Sequence, residues 1–482
     1  MAAKFDHIVV LMLENRSFDH MLGRLYHHDN PDPYHIVPRG QSFDGVSDDM
    51  FNTLLPTGGP AAPTSIKAHR ATNYATPVKW DIDHSFDSVQ LQINGTAPPT
   101  SEMKGFVASR IAALKKSEPN HTITQAEMAE PMAGFSPTTH NVSGAGPFAA
   151  ASVINTLALN FAVCDNWYAS VPGPTFPNRS FLHAGTSNGF VSNSDPDSKP
   201  HKPTFKKWSK TNAPTIFNRL KDAKLGANIY HSYGGPGVFP ALVYELHPTI
   251  KPADFPPLPF GQFMTDASNG NLPAYSFIEP EIAGSDKGGP PNDQHPARDI
   301  RYGEDLIQQT YQAITSHKNW ENTLFIITYD EHGGFFDHRF PPPAEPLNLA
   351  ASEENFRFNQ FGVRVPAVLI SPRIPAGTVF HPSGGHVDHT SVIRTICNRW
   401  NLPTLTLRDA FACDLSEVLT DTVRTDIPTI PKVQLPAPEP ANLPLNDLQQ
   451  DYLGLIAANR GIELPHLETE DDARAFMAKI AK

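Results

Sequence analysis

The 482-residue sequence predicts an α/β protein, built as an α/β/α sandwich with a central, mostly parallel sheet. Two observations carry this prediction. The apolar runs at residues 7–13 and 324–329 are continuous and rich in β-branched residues, which is typical of strands buried on both faces of a parallel sheet. Residues 304–316 have the apolar spacing of an amphipathic helix and lie between strand candidates, so strands and helices alternate along the chain.

The remaining elements follow in chain order. After the first strand, residues 16–23 predict a short helix that ends at Gly23. Residues 28–140 are irregular and rich in Pro, Asn and Thr, which favours long loops and short helices lying over the strand ends. Further strands are predicted at residues 161–164, 228–233, 274–278 and 366–370.

The composition of the sequence changes after Leu419. We expect a body at residues 1–420, in which the loop-rich segment 28–140 forms a cap, and a Pro-rich extension at residues 421–482. Within the extension, the sequence predicts an extended stretch and two short helices, at residues 428–444, 448–458 and 471–481.

Composition excludes several classes of function. The formal net charge of −12 gives no support for nucleic-acid binding and argues against simple adhesion to anionic membranes. No run of residues is long and apolar enough for a transmembrane segment, so only transient contact with a membrane surface stays open. Since no signal peptide is visible, we expect a cytoplasmic protein, or a secreted or periplasmic one if a leader has been removed. The three cysteines do not form a disulfide framework, although one bridge between two of them is conceivable.

Two of the predicted strands are each followed directly by a pair of oxygen donors. Glu14 and Asn15 end the first run, and Asp330 and Glu331 end the second. Because ligands bind at the carboxyl ends of parallel strands, both pairs are expected at one edge of the sheet. Either pair alone would fit an ordinary strand end or helix cap, but three carboxylates held together need a cation to offset their repulsion. Oxygen donors favour one hard divalent ion, Mg²⁺, Ca²⁺ or Mn²⁺, and nearby histidines could shift the preference to Zn²⁺.

Residues 171–179 contain three prolines and a glycine, which predict a rigid turn before a helix that starts near Asn178. A hydroxyl in that turn would face the positive end of the helix, so Thr175 is a candidate nucleophile that the metal would activate. A threonine in a Pro-Gly turn is structural in most proteins, and only the two acid pairs make this one specific.

Among the 21 histidines, His84 and His295 are the best candidates for catalysis. Each lies in a polar loop that we expect over the sheet edge, where the ring would bind phosphate oxygens or protonate a leaving group. His231, at the end of a strand-like run, is a weaker candidate.

Several of these segments resemble a known family. Five segments are similar to the phospholipase C/acid phosphatase family of the alkaline-phosphatase superfamily, at residues 14–20, 161–170, 171–179, 329–338 and 361–366. The segment at 161–170 most resembles the non-specific phospholipase C branch. The pattern Thr175-x-Pro177-x-Arg179 also resembles the sulfatase motif, but threonine cannot form the aldehyde that sulfatases require, so the chemistry should be phosphoryl transfer.

The resemblance implies an alkaline-phosphatase-like fold and a metal-dependent phosphoesterase with Thr175 as nucleophile. It also implies catalytic roles for His84 and His295, and metal ligation by Thr175 and the four donors at the strand ends. We further assign substrate binding to Asn178, His231 and His389, of which His389 matches a recurrent motif of unassigned role.

The function expected from these residues is a phospholipase C. It would hydrolyse glycerophospholipids such as phosphatidylcholine to diacylglycerol and a phosphorylated headgroup, through a phosphothreonine intermediate. The alternative is an acid phosphatase that acts on phosphate monoesters. A third hypothesis, a non-catalytic phosphate or lipid binder, has no use for a hydroxyl in the rigid turn.

Overall fold

The structure is a computed structural model, which describes residues 5–26, 36–54, 64–75, 81–95, 103–137, 140–142, 146–148, 151–198, 203–231, 240–283, 290–437 and 443–480. Parts of the predicted strand 228–233, the extended stretch 428–444 and the helix 471–481 lie outside the described residues.

The strands of the described residues are β1 (His7–Leu13), β2 (Phe51–Leu54), β3 (Thr64–Lys67), β4 (His69–Arg70), β5 (Ala133–Gly134), β6 (His140–Val142), β7 (Gly146–Phe148), β8 (Ala162–Val163), β9 (Trp167–Tyr168), β10 (Ala227–His231), β11 (Pro257–Pro259), β12 (Tyr275–Glu279), β13 (Thr323–Tyr329), β14 (Ala367–Ile370), β15 (Thr378–Val379) and β16 (Val387–Asp388). Eight of them form one sheet, in the order β11–β10–β12–β1–β13–β14–β8–β15. Only β14 runs antiparallel to its neighbours in this sheet.

The α-helices of the described residues are α1 (Phe18–Met21), α2 (Phe86–Asn94), α3 (Phe106–Ser117), α4 (Gln125–Ala129), α5 (Ser152–Asn160), α6 (Thr175–Ala184), α7 (Ile216–Asp222), α8 (Leu242–Leu246), α9 (Phe260–Asn269), α10 (Arg301–Thr315), α11 (Thr390–Trp400), α12 (Leu407–Phe411), α13 (Asp447–Asn459) and α14 (Glu470–Ile480). Short 3₁₀ helices lie at Glu130–Met132, Trp208–Lys210, Lys318–Asn322, Glu353–Asn355 and Leu415–Val418.

Helices cover both faces of the sheet. Tyr230 of β10 is in register with Ile278 of β12, so these two side chains share a face, and Tyr230 packs on Phe263 of α9. Phe277 directly precedes Ile278 on β12. Its side chain points to the other face of the sheet and packs on His183 of α6. Helix α10 packs against α9 and α5, whereas α6 packs against α7, α8 and α11. The predicted α/β/α sandwich with a mostly parallel sheet is therefore confirmed.

The register between β1 and β13 positions the candidate site. The two strands pair in parallel over seven residues, and Leu13 is the partner of Tyr329. Every side chain from Ile8 to Leu13 is buried, and so is every side chain of β13, because helices cover both faces. The first residues beyond the two strands, Glu14 and Asp330, therefore lie side by side at the sheet edge, as predicted.

The C-terminal extension packs on the body of the protein. Helices α13 and α14 are present where helices were predicted. Leu448, Tyr452 and Leu453 of α13 share an apolar cluster with Phe176 of α6 and Trp208. Upstream of α13, the Pro-rich stretch crosses α10, where the hydroxyl of Tyr311 donates a hydrogen bond to the Pro428 carbonyl (3.2 Å). The predicted division of the chain at residue 420 stays a prediction.

All three cysteines are free and buried, so the conceivable bridge is absent. Cys164 lies in the main core, as expected, and Cys397 lies on the buried face of α11. Within the described ranges, no helix has the length and apolar character needed to cross a bilayer.

A buried network of charges connects the loops at the sheet edge. The guanidinium of Arg364 donates hydrogen bonds to Asp337 (2.9 Å) and Asp19 (3.1 Å). His338 lies between Asp19 (2.7 Å) and Asp44 (2.9 Å). Burial lowers the pKa of His338, but the charge of Asp19 and the hydrogen bonds to both carboxylates outweigh burial and raise it to about 10. Arg364 is fully buried, so its removal would leave carboxylates buried without their cation.

We expect Arg364→Met to lower the free energy of unfolding by about 3–5 kcal/mol, the usual cost of breaking a buried ion pair. Urea unfolding followed by circular dichroism measures this change. Arg339→Met is the control, because Arg339 is 56% exposed and lies 3.4 Å from Asp44, and it should cost less than about 1 kcal/mol. Equal losses in the two variants would contradict a structural role for the network.

Candidate active site

The two donor pairs meet at the end of β1 and β13. The backbone N–H of Asn15 donates to Asp330 Oδ1 (2.9 Å). Asn15 has a φ of +56°, a left-handed conformation that asparagine tolerates better than most residues. Gly333 lies against the Asn15 backbone, since a Cβ on Gly333 would be 2.1 Å from the Asn15 carbonyl oxygen. The glycine that follows Glu331 and His332 is therefore required for this close approach.

Thr175 brings its hydroxyl to the same point. Its Oγ1 lies 3.3 Å from Glu14 Oε2 and 3.4 Å from Asn15 Oδ1, and the residue is 1% exposed. Thr175 is the first residue of α6, which follows Pro174 at the N-cap. The predicted helix start near Asn178 is therefore wrong by one turn, because the fixed φ of proline suits it to a helix N-terminus.

Asn178 braces the turn that holds Thr175. Its amide nitrogen donates to the carbonyls of Val171 (3.1 Å), Gly173 (2.9 Å) and Pro174 (3.1 Å), and its oxygen accepts from the Val171 N–H (3.0 Å). These backbone contacts occupy the side chain that we assigned to substrate binding. The structure therefore places Asn178 in a positioning role.

Arg179 is a functional residue that the sequence analysis missed. Its Nε donates to Glu14 Oε1 (2.6 Å) and its Nη2 donates to the Met12 carbonyl (3.0 Å). Arg179 follows Thr175 by four residues, so both side chains lie on one face of α6. This helical spacing was the available signal. Because Arg179 binds Oε1 of Glu14, the other carboxylate oxygen, Oε2, faces the hydroxyl of Thr175.

His84 and His295 flank Asn15 on the side away from the strands. The His84 Nδ1–H donates to the Ile82 carbonyl (2.8 Å), and that of His295 donates to the Pro296 carbonyl. These bonds turn both Nε2 atoms toward Asn15 Nδ2, at 3.3 Å and 3.1 Å. The structure thus brings both predicted histidines to the cluster.

Asp447, from the start of α13, is a second residue that the sequence analysis missed. Its two carboxylate oxygens lie 3.2 Å from His295 Nε2 and 3.5 Å from His84 Nε2. The backbone N–H of Asp447 donates to Asp81 Oδ2 (2.9 Å). Burial alone would raise the pKa of Asp447, but the two histidines hold it well below the usual carboxyl range. The distance of about 360 residues from His84 left no sequence signal for this contact.

Asp447 and the neighbouring charges also shift the pKa values of His84 and His295. Desolvation lowers the pKa of both rings. The charges of Glu331 and Asp447 outweigh this and raise the pKa of His84 to about 10. For His295, the hydrogen bond and charge of Asp447 raise the pKa to about 9. The raised pKa values favour protonation of both rings, whose Nε2 atoms lie beside the Asp447 carboxylate.

His389 and His231 lie elsewhere. The Trp167 indole N–H donates to His389 Nδ1 (3.2 Å), so the Nε2–H donates to the Asp330 carbonyl (2.6 Å). Both ring nitrogens are occupied by protein groups, which makes His389 a positioning residue for Asp330 rather than a contact for substrate. His231 ends β10 and lines a separate small cavity with Tyr452, so the described contacts do not bring it to Thr175.

The donor set fits a cation. Burial raises the pKa of Glu14 well above its ordinary value, and although Arg179 opposes this, the charge of Asp330 adds to it. Burial and the charge of Glu331 likewise raise the pKa of Asp330. Asp330 Oδ2 and Glu331 Oε1 are buried and, among the described residues, have no hydrogen-bond partner. Because such atoms are costly without a partner, a positive ion between them would satisfy both their charge and their lone pairs.

A cleft of about 850 Å³ reaches this cluster from the surface. His84, Pro174 and Asp447 line its inner part, while Phe86 and Leu445 contribute apolar surface. The volume is within the usual range for small-molecule sites. Pro174, the neighbour of Thr175 in the chain, is part of this lining.

Comparisons with known proteins agree with this geometry. The sequence profile of the Phosphoesterase family matches residues 5–403. Non-specific phospholipase C6 of Arabidopsis thaliana is 33% identical over 473 residues, which cover 94% of this chain and 80% of that protein. Phospholipase C B of Mycobacterium tuberculosis is 27% identical over 459 residues, which cover 85% and 77%.

Among solved structures, a protein in the alkaline phosphatase superfamily from Vibrio parahaemolyticus is 12% identical and covers 55% of this chain and 64% of its own, at a TM-score of 0.32. That likeness is too loose to carry an argument. The family profile spans most of the sequence and includes every residue of the cluster except Asp447. The chain therefore belongs to the phosphoesterase family and is a phosphoric ester hydrolase rather than a non-catalytic binder.

Proposed function

We propose that this protein is a metal-dependent phospholipase C. It would hydrolyse glycerophospholipids such as phosphatidylcholine to diacylglycerol and a phosphorylated headgroup, through a phosphothreonine intermediate. The observation that carries the proposal is the buried hydroxyl of Thr175, within 3.4 Å of Glu14 and Asn15. The names of the relatives support the phospholipid substrate.

The donors that would hold the metal are Glu14, Asn15, Thr175, Asp330 and Glu331. The ion, Mg²⁺, Ca²⁺, Mn²⁺ or Zn²⁺, would supply positive charge that favours ionisation of the threonine hydroxyl and offsets the negative charge of the phosphate. Arg179 keeps Glu14 in place for this set through its bond of 2.6 Å.

The side chains of the site have distinct tasks in this mechanism. The Thr175 hydroxyl gives its proton to water in the cleft as its oxygen attacks phosphorus, and the bond to the diacylglycerol oxygen breaks. Phosphate oxygens accept hydrogen bonds from the Nε2 atoms of His84 and His295, and one of these rings gives its proton to the leaving oxygen. Water then attacks the phosphothreonine and gives one proton to the histidine that had lost one. The bond to the threonine oxygen breaks, that oxygen takes up a proton from water in the cleft, and the phosphorylated headgroup is released. The cleft of about 850 Å³ has room for a headgroup while the acyl chains stay outside, in transient contact with a membrane surface.

The test is a comparison of phosphatidylcholine with nitrophenyl phosphate as substrates of the purified full chain. We expect turnover of the diester to exceed that of the monoester, with diacylglycerol and phosphocholine as products by mass spectrometry. Strong monoester turnover without diester turnover would establish the acid phosphatase alternative instead.

The covalent step predicts the behaviour of two variants. Thr175→Ala removes the nucleophile and should lower kcat by about 10³-fold or more. Thr175→Ser, the matched control, keeps a hydroxyl and should stay within about tenfold of the unchanged protein. Elemental analysis should show that Thr175→Ala still holds its metal, because four donors remain. Full activity of Thr175→Ala would remove the phosphothreonine from the mechanism.

Removal of the metal should change both activity and stability. After dialysis against a chelator, we expect loss of activity and a melting temperature lower by about 2–5 °C, because the buried carboxylates then repel each other. Differential scanning calorimetry and refilling with each of the four ions measure this. Asp330→Asn should make the melting temperature insensitive to the chelator. Unchanged activity in protein that elemental analysis shows to be free of metal would exclude metal dependence.

A further inference from the structure

We propose that Asp447 is a specificity-determining residue, which makes the active site favour phosphodiesters over phosphomonoesters. This inference rests on the proposed function, because it concerns the choice of substrate at the same site. It depends on one contact, the carboxylate that the C-terminal helix α13 inserts between the two histidines of the site.

The carboxylate occupies the position that an anionic substrate needs. Its two oxygens lie 3.2 Å from His295 Nε2 and 3.5 Å from His84 Nε2, one oxygen for each ring. These two Nε2 atoms are the donors that the mechanism assigns to the phosphate oxygens. A phosphate bound there must either displace the Asp447 carboxylate or lie beside it.

Asp447 is held both by its backbone and by contacts of its carboxylate. The backbone N–H is fixed by Asp81 Oδ2 at 2.9 Å, and the Leu448 N–H donates to Asp447 Oδ1 at 2.7 Å. The side chain is 45% exposed and faces the cleft. These contacts keep the charge of the carboxylate at the cleft surface, close to any phosphate that binds the two histidines.

Repulsion between this carboxylate and the substrate grows with the charge of the phosphate. A phosphodiester carries one negative charge near neutral pH, whereas a phosphomonoester carries nearly two, so the carboxylate disfavours the monoester more strongly. Asp81, Asp83 and Asp451 line the same cleft. Burial raises the pKa of Asp81 and of Asp451 to about 7, so these two add only part of a negative charge near neutral pH. Besides His84, the described cleft lining has two basic residues, Lys116 and Arg298, and Arg298 is paired with Glu470.

The test is Asp447→Asn, which removes the charge and keeps both the backbone N–H and the Oδ1 acceptor. We measure kcat/KM for a soluble short-chain phosphatidylcholine and for nitrophenyl phosphate, together with the inhibition constant of inorganic phosphate. We expect the ratio of monoester to diester kcat/KM to rise at least tenfold, and inorganic phosphate to inhibit about tenfold more strongly. Asp471→Asn is the charge-matched control, because Asp471 is an exposed acid on α14, and it should change neither quantity.

A second measurement needs no variant. Raising the ionic strength from about 0.05 M to 1 M screens the carboxylate, so the same ratio should rise more in the unchanged protein than in Asp447→Asn. If Asp447→Asn lowers both activities equally and leaves phosphate inhibition unchanged, Asp447 only positions the histidines and the proposal is overturned. If the unchanged protein cleaves no diester, the proposed function fails, while phosphate inhibition still reports whether the carboxylate repels anions.

Discussion

The structure of the site depends on the unfavourable free energy of burying several carboxylates close together. The parallel register of β1 and β13 makes Glu14 and Asp330 neighbours, and helices on both faces of the sheet keep water away from them. Like charges in such a place raise each other's pKa and destabilise the fold unless cations balance them. Arg179 balances part of that charge from α6, the helix that also carries Thr175. The same interaction thus fixes the helix that carries Thr175 in position and leaves room for one more positive charge.

Several residues in the segments that resemble the phospholipase C/acid phosphatase family do not touch the candidate site. They belong instead to the buried charge network around Arg364. Asp19 and Asp337 follow the two donor pairs in sequence, and both bind Arg364. The network therefore connects the loop after β1 to the loop after β13. Because a buried ion pair is weak evidence for net stability, its contribution here is better described as fixing the relative position of the two loops. The relative position of the two loops determines whether the side chains of Asn15 and Glu331 converge in the candidate site.

Local sequence patterns were sufficient for much of the fold and for part of the site. Buried parallel strands have a strong signature, and residues at their carboxyl ends must converge, so the donor pairs could be predicted without coordinates. The hydroxyl of Thr175 and the two loop histidines followed from local turn and loop composition. The roles of Asn178 and His389 could not be predicted, because hydrogen bonds to the backbone decide them and leave no trace in residue type. The role of Asp447 could not be predicted for a different reason. Its contacts join the start of α13 to His84 and His295, which are distant in sequence.

The apolar cluster shared by α13 and Phe176 has a consequence for the order of events during synthesis. Phe176 is the immediate neighbour of Thr175, and its packing partners on α13, which begin at Leu448, follow about 270 residues later. A nascent chain that has emerged only as far as β16 already contains all the metal donors and both site histidines, yet it lacks this support and the carboxylate between the rings. The site therefore stays incomplete until α13 has been synthesised and has packed on α6.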